Sequence, residues 1–266
     1  MEDCYEHLDP SIVYTSSSIP GSGCPEYFYE EFLEGCVCTG TNCSESSCTC
    51  LKDLEHSYDG DKKLKWPLSS YPIFECNTKC KCSQTCKNRV IQKGPIKNIY
   101  IKQVSEQKGL GLYCKNEILK GTFVCTYSGE IIGVEEGRKR AKAQQDQRTK
   151  NFILSVKEYF STGPFVTVID PTVIGNIGRY CNHSCDPNLF MIPIRVENML
   201  PHLALFASKN VAAETELTFD YGNPSRTSPS DETANLEYLT LEEKQKLVIC
   251  LCDAGDQCLK YLPFHK

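Results

Sequence analysis

Two groups of cysteines carry the first chemical signal in this 266-residue chain of 18 cysteines. Nine of them run Cys36-x-Cys38-x4-Cys43-x4-Cys48-x-Cys50 and, after a gap of 25 residues, Cys76-x3-Cys80-x-Cys82-x3-Cys86. Thiolates two to five residues apart can converge on one ion, as in structural tetrahedral zinc sites. Nine is the wrong number for disulfides or for separate four-cysteine sites. Three zinc ions need twelve ligand positions, which nine sulfurs supply if three of them each bridge two metals. A three-zinc cluster is the expectation. The second group, Cys250-x-Cys252-x5-Cys258, offers three thiolates and lacks a fourth ligand. Cys185 is preferred for that place, because it lies in the polar run Asn182-His183-Ser184-Cys185-Asp186-Pro187-Asn188.

The start, Met-Glu-Asp-Cys-Tyr-Glu-His, has neither a basic stretch nor an apolar one, so no secretory signal or mitochondrial presequence is expected. In a reducing compartment free disulfides do not persist, and metal is what such a cysteine density serves. Buried free cysteines are the bland alternative, but paired C-x-C spacings among lysines and serines do not resemble core packing. No window approaches the roughly 18 apolar residues of a membrane span, so no membrane partner is expected. A net charge of -5 and a pI near 5.6 argue against a chain that chiefly covers phosphates; no DNA-binding module is evident, and a basic partner fits better.

The elements that must position these residues differ along the chain. Residues 1–34, with Ser16-Ser17-Ser18, Pro20-Gly21 and Glu30-Glu31, read as a loosely structured lead-in. Residues 35–95 lack long apolar runs and cannot build a sufficient core alone. From 96 to 221 short β-like runs appear at Ile99–Ile101, Phe123–Tyr127, Phe152–Val156, Phe165–Ile169 and Leu203–Ala207, separated by Gly, Pro and Asn turns. A charged stretch, Val134–Lys150, predicts a solvated surface helix. Residues 222–245 read as a Ser/Pro/Thr linker with a helix through 239–244, and 246–262 hold the second cysteine group. No internal repeat is visible.

Taken in order, the nine-cysteine module, Gly109-Leu110-Gly111, Asn182-His183-Ser184-Cys185, Glu216-Leu217-Thr218-Phe219-Asp220-Tyr221 and the C-x-C tail resemble the pre-SET, SET and post-SET modules of the Suppressor-of-variegation group of histone-lysine methyltransferases. The likeness runs from about Cys36 to Phe264. Phe74-Glu75-Cys76-Asn77, Gly175-Asn176-Ile177-Gly178-Arg179 and Leu203–Ala207 bring it closest to the branch in which such a module is fused to a mariner transposase; no transposase-like segment lies within these residues. The resemblance implies a mainly β, knot-like SET fold that binds S-adenosylmethionine on one face and a histone-tail peptide on the other, in the nucleus on chromosomes, as a monomer. By position, Lys108, Gly109, Leu110, Gly111, Phe152, Arg179, Asn182 and His183 would contact the cofactor. Tyr221 would be the catalytic tyrosine, with Tyr127 and Phe219 beside it. The resemblance also makes Cys185 the fourth ligand of a tail zinc.

Each of these residues has a plainer reading: Tyr127 as core, His183 as a turn cap, Gly109 and Gly111 as an ordinary hairpin. Their joint occurrence in family order outweighs it. Three departures bear on activity. Leu110 stands where the family places Trp, Phe152 where it commonly places Tyr, and Cys252-x5-Cys258 is one residue longer than usual. The lost Tyr hydroxyl is worth roughly 0.5 to 1.5 kcal/mol. A non-catalytic zinc scaffold that binds chromatin or a partner protein is the alternative that Leu110 and Phe152 motivate; a methyltransferase for a non-histone protein is a third reading, which the sequence does not separate from the first. Retention of Tyr221 and the Asn182–His183 pair favours the enzyme.

Overall fold

The structure is a computed structural model, which describes residues 7–30, 33–43, 48–51, 56–66, 72–147, 149–222 and 247–263. The linker and helix expected within 222–245 lie outside these residues but for Gly222. In chain order the strands are β1 (Val13–Tyr14), β2 (Ile19–Pro20), β3 (Ile73–Phe74), β4 (Ile99–Ser105), β5 (Gly109–Cys114), β6 (Phe123–Tyr127), β7 (Gly129–Ile132), β8 (Leu154–Phe160), β9 (Gly163–Gly175), β10 (Asn182–His183), β11 (Leu189–Arg195), β12 (His202–Ala207) and β13 (Glu216–Phe219). A single α-helix among the described residues, α1, spans Val134–Asp146. No described helix is long and apolar enough to cross a membrane.

Three small sheets form a mainly β body. One has the order β1-β9-β7-β2, with β8 also paired to β9; the second is β10-β13-β5-β4; the third is β3-β11-β12-β6. The third sheet explains the most hydrophobic sequence in the chain. Leu189 and Met191 of β11, with Leu203, Leu205 and Ala207 of β12, enter one core, whereas Phe190, Ile192 and Ile194, with Ala204 and Phe206, enter a second core shared with Tyr58, Leu64, Ile73 and Val90. A strand covered on both faces reads as a continuous apolar run, not an alternation. The second core thereby clamps the cysteine-rich region to the rest of the molecule.

The lead-in, expected to be loosely structured, adds parallel strands at the first sheet's edges: Val13 pairs with Ile174 and Ile19 with Glu130. The helix stops four residues short of the expected Lys150. Its last turn closes when the Thr149 N–H donates to the Gln144 carbonyl at 2.9 Å, an i to i−5 turn that diverts the chain. As expected it is a surface helix, with Gly137 alone fully buried; Arg140 ties it to Glu130 and Asp170 at 2.8 and 2.9 Å.

A four-residue 3-10 turn, Ile177–Tyr180, carries Arg179 into the body. Buried Asn176 organises it. The Asn176 amide donates to the Thr126 carbonyl at 2.9 Å and accepts from the Ser128 and Gly178 N–H groups at 3.2 Å. A Cβ on Gly178 would lie 2.2 Å from the Thr126 carbonyl oxygen, and the backbone there has no room to give. Gly178→Ala should cost about 1 to 3 kcal/mol and lower the melting temperature by about 3 to 10 °C; an unchanged melting curve by calorimetry would refute this packing.

Candidate cofactor and metal sites

The nine cysteines from Cys36 to Cys86 form a third cluster, Cys38 partly buried and the rest buried, in which Leu51 is the sole apolar companion among the described residues. No described cysteine is in a disulfide. Sulfur–sulfur separations are 3.7 Å for Cys36–Cys43, 3.5 Å for Cys43–Cys76 and Cys43–Cys86, and 3.4 Å for Cys50–Cys80. Those are far beyond an S–S bond of about 2.05 Å and close to the about 3.8 Å edge of a tetrahedron of thiolates around zinc. Three overlapping groups of four have all sulfurs within 4.8 Å: Cys36, Cys50, Cys76 and Cys80; Cys36, Cys43, Cys76 and Cys82; and Cys36, Cys38, Cys43 and Cys48. Sharing of sulfurs between groups is what bridging requires. Burial pushes the Cys48 and Cys82 thiols up to about 12. Cys36 is also raised by burial, but hydrogen bonds from the Cys38 backbone and the Cys43 thiol bring it down to about 6. A divalent cation is the group that fits such a mixture of buried thiols and thiolates.

This cluster is joined to the body by polar side chains as well as by the second core. Arg89, 2% exposed, donates to the Cys76 and Asn77 carbonyls at 3.0 and 2.7 Å and to the Cys82 sulfur at 3.7 Å. Glu75 accepts from the Val90 and Ile91 N–H groups, the Tyr58 hydroxyl and Gln92. Sequence reasoning assigned neither residue a role, although Glu75 lies within a quoted motif.

The tail group closes as expected in space. Cys185, Cys250, Cys252 and Cys258 have sulfurs within 4.8 Å of one another, so the extra residue between Cys252 and Cys258 is absorbed by the short 3-10 turn Gly255–Gln257. Cys185 lies just after β10, which also carries Asn182 and His183.

The other sequence-selected residues converge on the same end of the body. Gly109 and Gly111 lie on β5, which forms a hairpin with β4, as the plain reading has it. Gly109 has φ +79, a left-handed conformation that favours glycine, and the Lys150 ammonium crosses it to the Lys108 carbonyl at 2.9 Å. The Asn182 amide donates to the Leu110 carbonyl at 3.0 Å and to Glu216 at 2.8 Å, and Glu216 also holds Lys108 at 2.7 Å. Glu216 was visible in its motif but went unassigned; it is the residue that fastens β5 to β10. Lys108, Ser184, Glu216, Thr218, Cys252 and Asp253 line a cavity of about 190 Å³ beside the tail cysteines.

The aromatic residues contact one another in turn. Arg179 lies 4.3 Å over the Phe152 ring, and the Tyr127 hydroxyl donates to the Phe152 carbonyl at 2.5 Å. Phe219 sits between the two tyrosines, with ring centroids 6.0 Å from Tyr127 and 4.9 Å from Tyr221. The Tyr221 hydroxyl donates to the Cys181 carbonyl at 3.0 Å. Burial holds both phenols well above their ordinary pKa, and each is raised further by neighbouring groups, Tyr221 for Tyr127 and Cys181 for Tyr221. They are neutral hydrogen-bonding groups at physiological pH, not bases.

Two family models match the chain: the pre-SET motif over residues 2–89 and the SET domain over residues 109–222. The fold and the site therefore define a SET-domain protein with an amino-terminal pre-SET motif. Human histone-lysine N-methyltransferase SETMAR is 38% identical over 94% of this chain, and the Caenorhabditis elegans probable histone-lysine N-methyltransferase set-23 is 35% identical over 97% of it. The chain spans 36% of the human protein and 96% of the worm one. The crystal structure of the human SETMAR methyltransferase domain superimposes with a TM-score of 0.79 at 34% identity, covering 99% of this chain and 93% of that one. KRYPTONITE in complex with DNA, an H3(1–15) peptide and SAH matches with a TM-score of 0.71 at 25% identity, over 96% of this chain and 49% of that one. The chain belongs to the SET-domain histone-lysine N-methyltransferase family, among its SETMAR and Su(var)3-9 members.

Proposed function

We propose that this chain is an S-adenosylmethionine-dependent protein-lysine N-methyltransferase acting on a histone tail, that of histone three in particular, on nuclear chromatin. Family membership supports the reaction class, and the peptide and SAH bound to KRYPTONITE support the histone tail and the cofactor. The observation that carries the proposal is the meeting of Tyr127, Phe219 and Tyr221 around hydroxyls already committed to backbone carbonyls, next to the Lys108–Glu216–Asn182 cluster. In this reading the chain comprises a lead-in (1–34), a pre-SET module with three zinc ions (35–95), the SET domain (96–221), a linker (222–245) and a one-zinc tail (246–262), and it acts as a monomer.

S-adenosylmethionine would be held by Lys108 to Gly111, Phe152, Arg179, Asn182 and His183, and it supplies a methyl group made electrophilic by a sulfonium. The residues of the chain then have three tasks. They must admit the amine neutral: at pH 7 an unperturbed lysine is neutral about 0.04% of the time, a cost of roughly 4 to 5 kcal/mol, and the apolar faces of Tyr127, Phe219 and Tyr221 disfavour its ammonium form. They must orient it. Each phenol gives its proton to a carbonyl, so its oxygen is left to accept from an amine N–H, which turns the nitrogen lone pair away from the phenols. They must also hold the reacting groups in line, the proximity contribution.

Phe219 sets how much room the amine has. A hydroxyl added there would sit between the two phenols and occupy the space that a methylated amine requires. Phe219→Tyr should shift the product toward monomethyl-lysine; mass spectrometry showing the wild-type product distribution would contradict that role. Transfer of labelled methyl groups to separated core histones tests the proposal as a whole.

A further inference from the structure

Arg179, which the methyltransferase reading places against the cofactor, is held by a carbonyl and two rings. Its Nε donates to the Pro171 carbonyl at 3.0 Å, and its guanidinium carbon lies 4.3 Å from the centre of the Phe152 ring and 5.0 Å from that of Tyr180. A guanidinium stacked on aromatic faces keeps its in-plane N–H groups for an anion, and the carboxylate of S-adenosylmethionine is the anion that this reading supplies. Phe152 has no hydroxyl by which its own ring could be fixed, so Tyr180 is the one of the two rings that a hydrogen bond can hold. The residue that holds it comes from the lead-in. Nδ1 of the partly buried His7 lies 3.1 Å from the Tyr180 hydroxyl, and its Nε2 lies 3.0 Å from the Gly175 carbonyl. A carbonyl can only accept, so Nε2 carries the proton and Nδ1 of the neutral ring accepts from the tyrosine. Burial holds the His7 ring below the ordinary histidine range, which keeps it neutral at physiological pH.

The Gly175 carbonyl also accepts the Thr15 N–H at 3.0 Å, and Tyr14 is registered with Gly175 in the β1–β9 pair. The lead-in thus grips both ends of the segment 175–180, with Arg179 between them; a Cβ on Gly175 would lie 3.4 Å from Arg179 Cδ. Tying down the start of the chain would need β1 alone. His7 adds a bond to the buried ring over which Arg179 lies. We infer that His7 is a positioning residue of the cofactor site, acting through the Tyr180 ring on the Arg179 guanidinium, and that the lead-in is thereby a working part of that site. The inference rests on the methyltransferase reading.

The test is a double-mutant cycle on S-adenosylhomocysteine affinity, measured by calorimetry on the full, zinc-loaded chain: wild type, His7→Ala, Tyr180→Phe and the two combined. Each single variant should bind about 3- to 10-fold more weakly, the loss of one hydrogen bond. The double variant should bind no more weakly than the worse single one, because both changes remove the same bond. KM for S-adenosylmethionine should rise in step, by a larger factor than kcat falls. A lead-in that merely secures the chain end would give variants with a lower melting temperature and unchanged affinity. Single variants within about twofold of the wild type, or a double variant whose loss is the product of the two single losses, would overturn the inference alone. A wild-type chain that binds no S-adenosylhomocysteine would overturn the methyltransferase reading and the inference with it, so the wild-type affinity tells the two failures apart.

Discussion

Cys258→Ser is expected to lose turnover by at least about 100-fold, at the upper end of what disturbance of a metal site's supporting residues costs, while the body of the protein stays folded. Among the described residues, the hydrogen-bonding contacts of the tail, 247–263, with the body run through sulfur. The Leu259 N–H donates to the Cys185 sulfur at 3.4 Å, and the Cys185 and Cys250 sulfurs are 3.9 Å apart. The tail's internal pairs, Cys250 N–H to the Lys260 carbonyl and the Ile249–Tyr261 bridge, do not anchor it to anything else. A structural zinc contributes about 10 to 16 kcal/mol to the peptide that folds around it, and a serine in place of one thiolate removes most of that. The cavity lined by Lys108, Glu216, Cys252 and Asp253 then loses one wall, so cofactor affinity should fall with turnover. The main core, around Leu112, Val124, Leu189 and Leu205, contains no tail residue, and its melting transition should persist. A chelator should act more broadly, because it also strips the amino-terminal cluster. Elemental analysis should find one zinc fewer per chain in the variant, and a Cys258→Ser protein with normal turnover would contradict the role of the tail.

Tyr221→Phe should be nearly as severe in kcat and silent elsewhere. The hydroxyl is a part-buried, neutral donor fixed on the Cys181 carbonyl at 3.0 Å, and removal of one preorganised hydrogen-bonding group from a reacting centre costs about 100- to 1000-fold. The ring remains, so packing against Phe219 and His183 is kept. Binding of S-adenosylhomocysteine by calorimetry should therefore change by less than about threefold, since one modest hydrogen bond is at stake. A variant that lost cofactor affinity and kcat in parallel would assign Tyr221 to the cofactor pocket and not to the amine.

The sequence was most legible where one residue type dominates the physics. Cysteine spacing picked out both sets of cysteines that the structure gathers in space, and the apolar runs at Phe123–Tyr127 and Leu203–Ala207 reappear as β6 and β12 almost residue for residue. The helix was read four residues too long because its composition stays charged and helix-compatible past Asp146, while its end is set by a backbone bond from Thr149 to Gln144. Strand β5 was anticipated only as a glycine hairpin and β13 not as a strand: β5 carries Gly109, where Lys150 approaches, and Gly111, where Val104, Glu216 and Asn182 do, and β13 is four residues long. In the site, Cys185 could be preferred from its polar surroundings, but its meeting with cysteines 65 or more residues away is a matter of topology. The partnership of Glu216 with both Lys108 and Asn182 is likewise a product of the β10-β13-β5 pairing, which no local pattern encodes.

The measurement that bears most directly on the whole account is incubation of the zinc-loaded chain with methyl-labelled S-adenosylmethionine and each separated core histone, beside Tyr221→Phe. The account predicts label on lysine of histone three with the wild-type chain and its near-complete loss with the variant. A chain that binds no S-adenosylhomocysteine and labels neither a histone nor any protein of a nuclear lysate would contradict it and leave a zinc-braced scaffold in place of an enzyme.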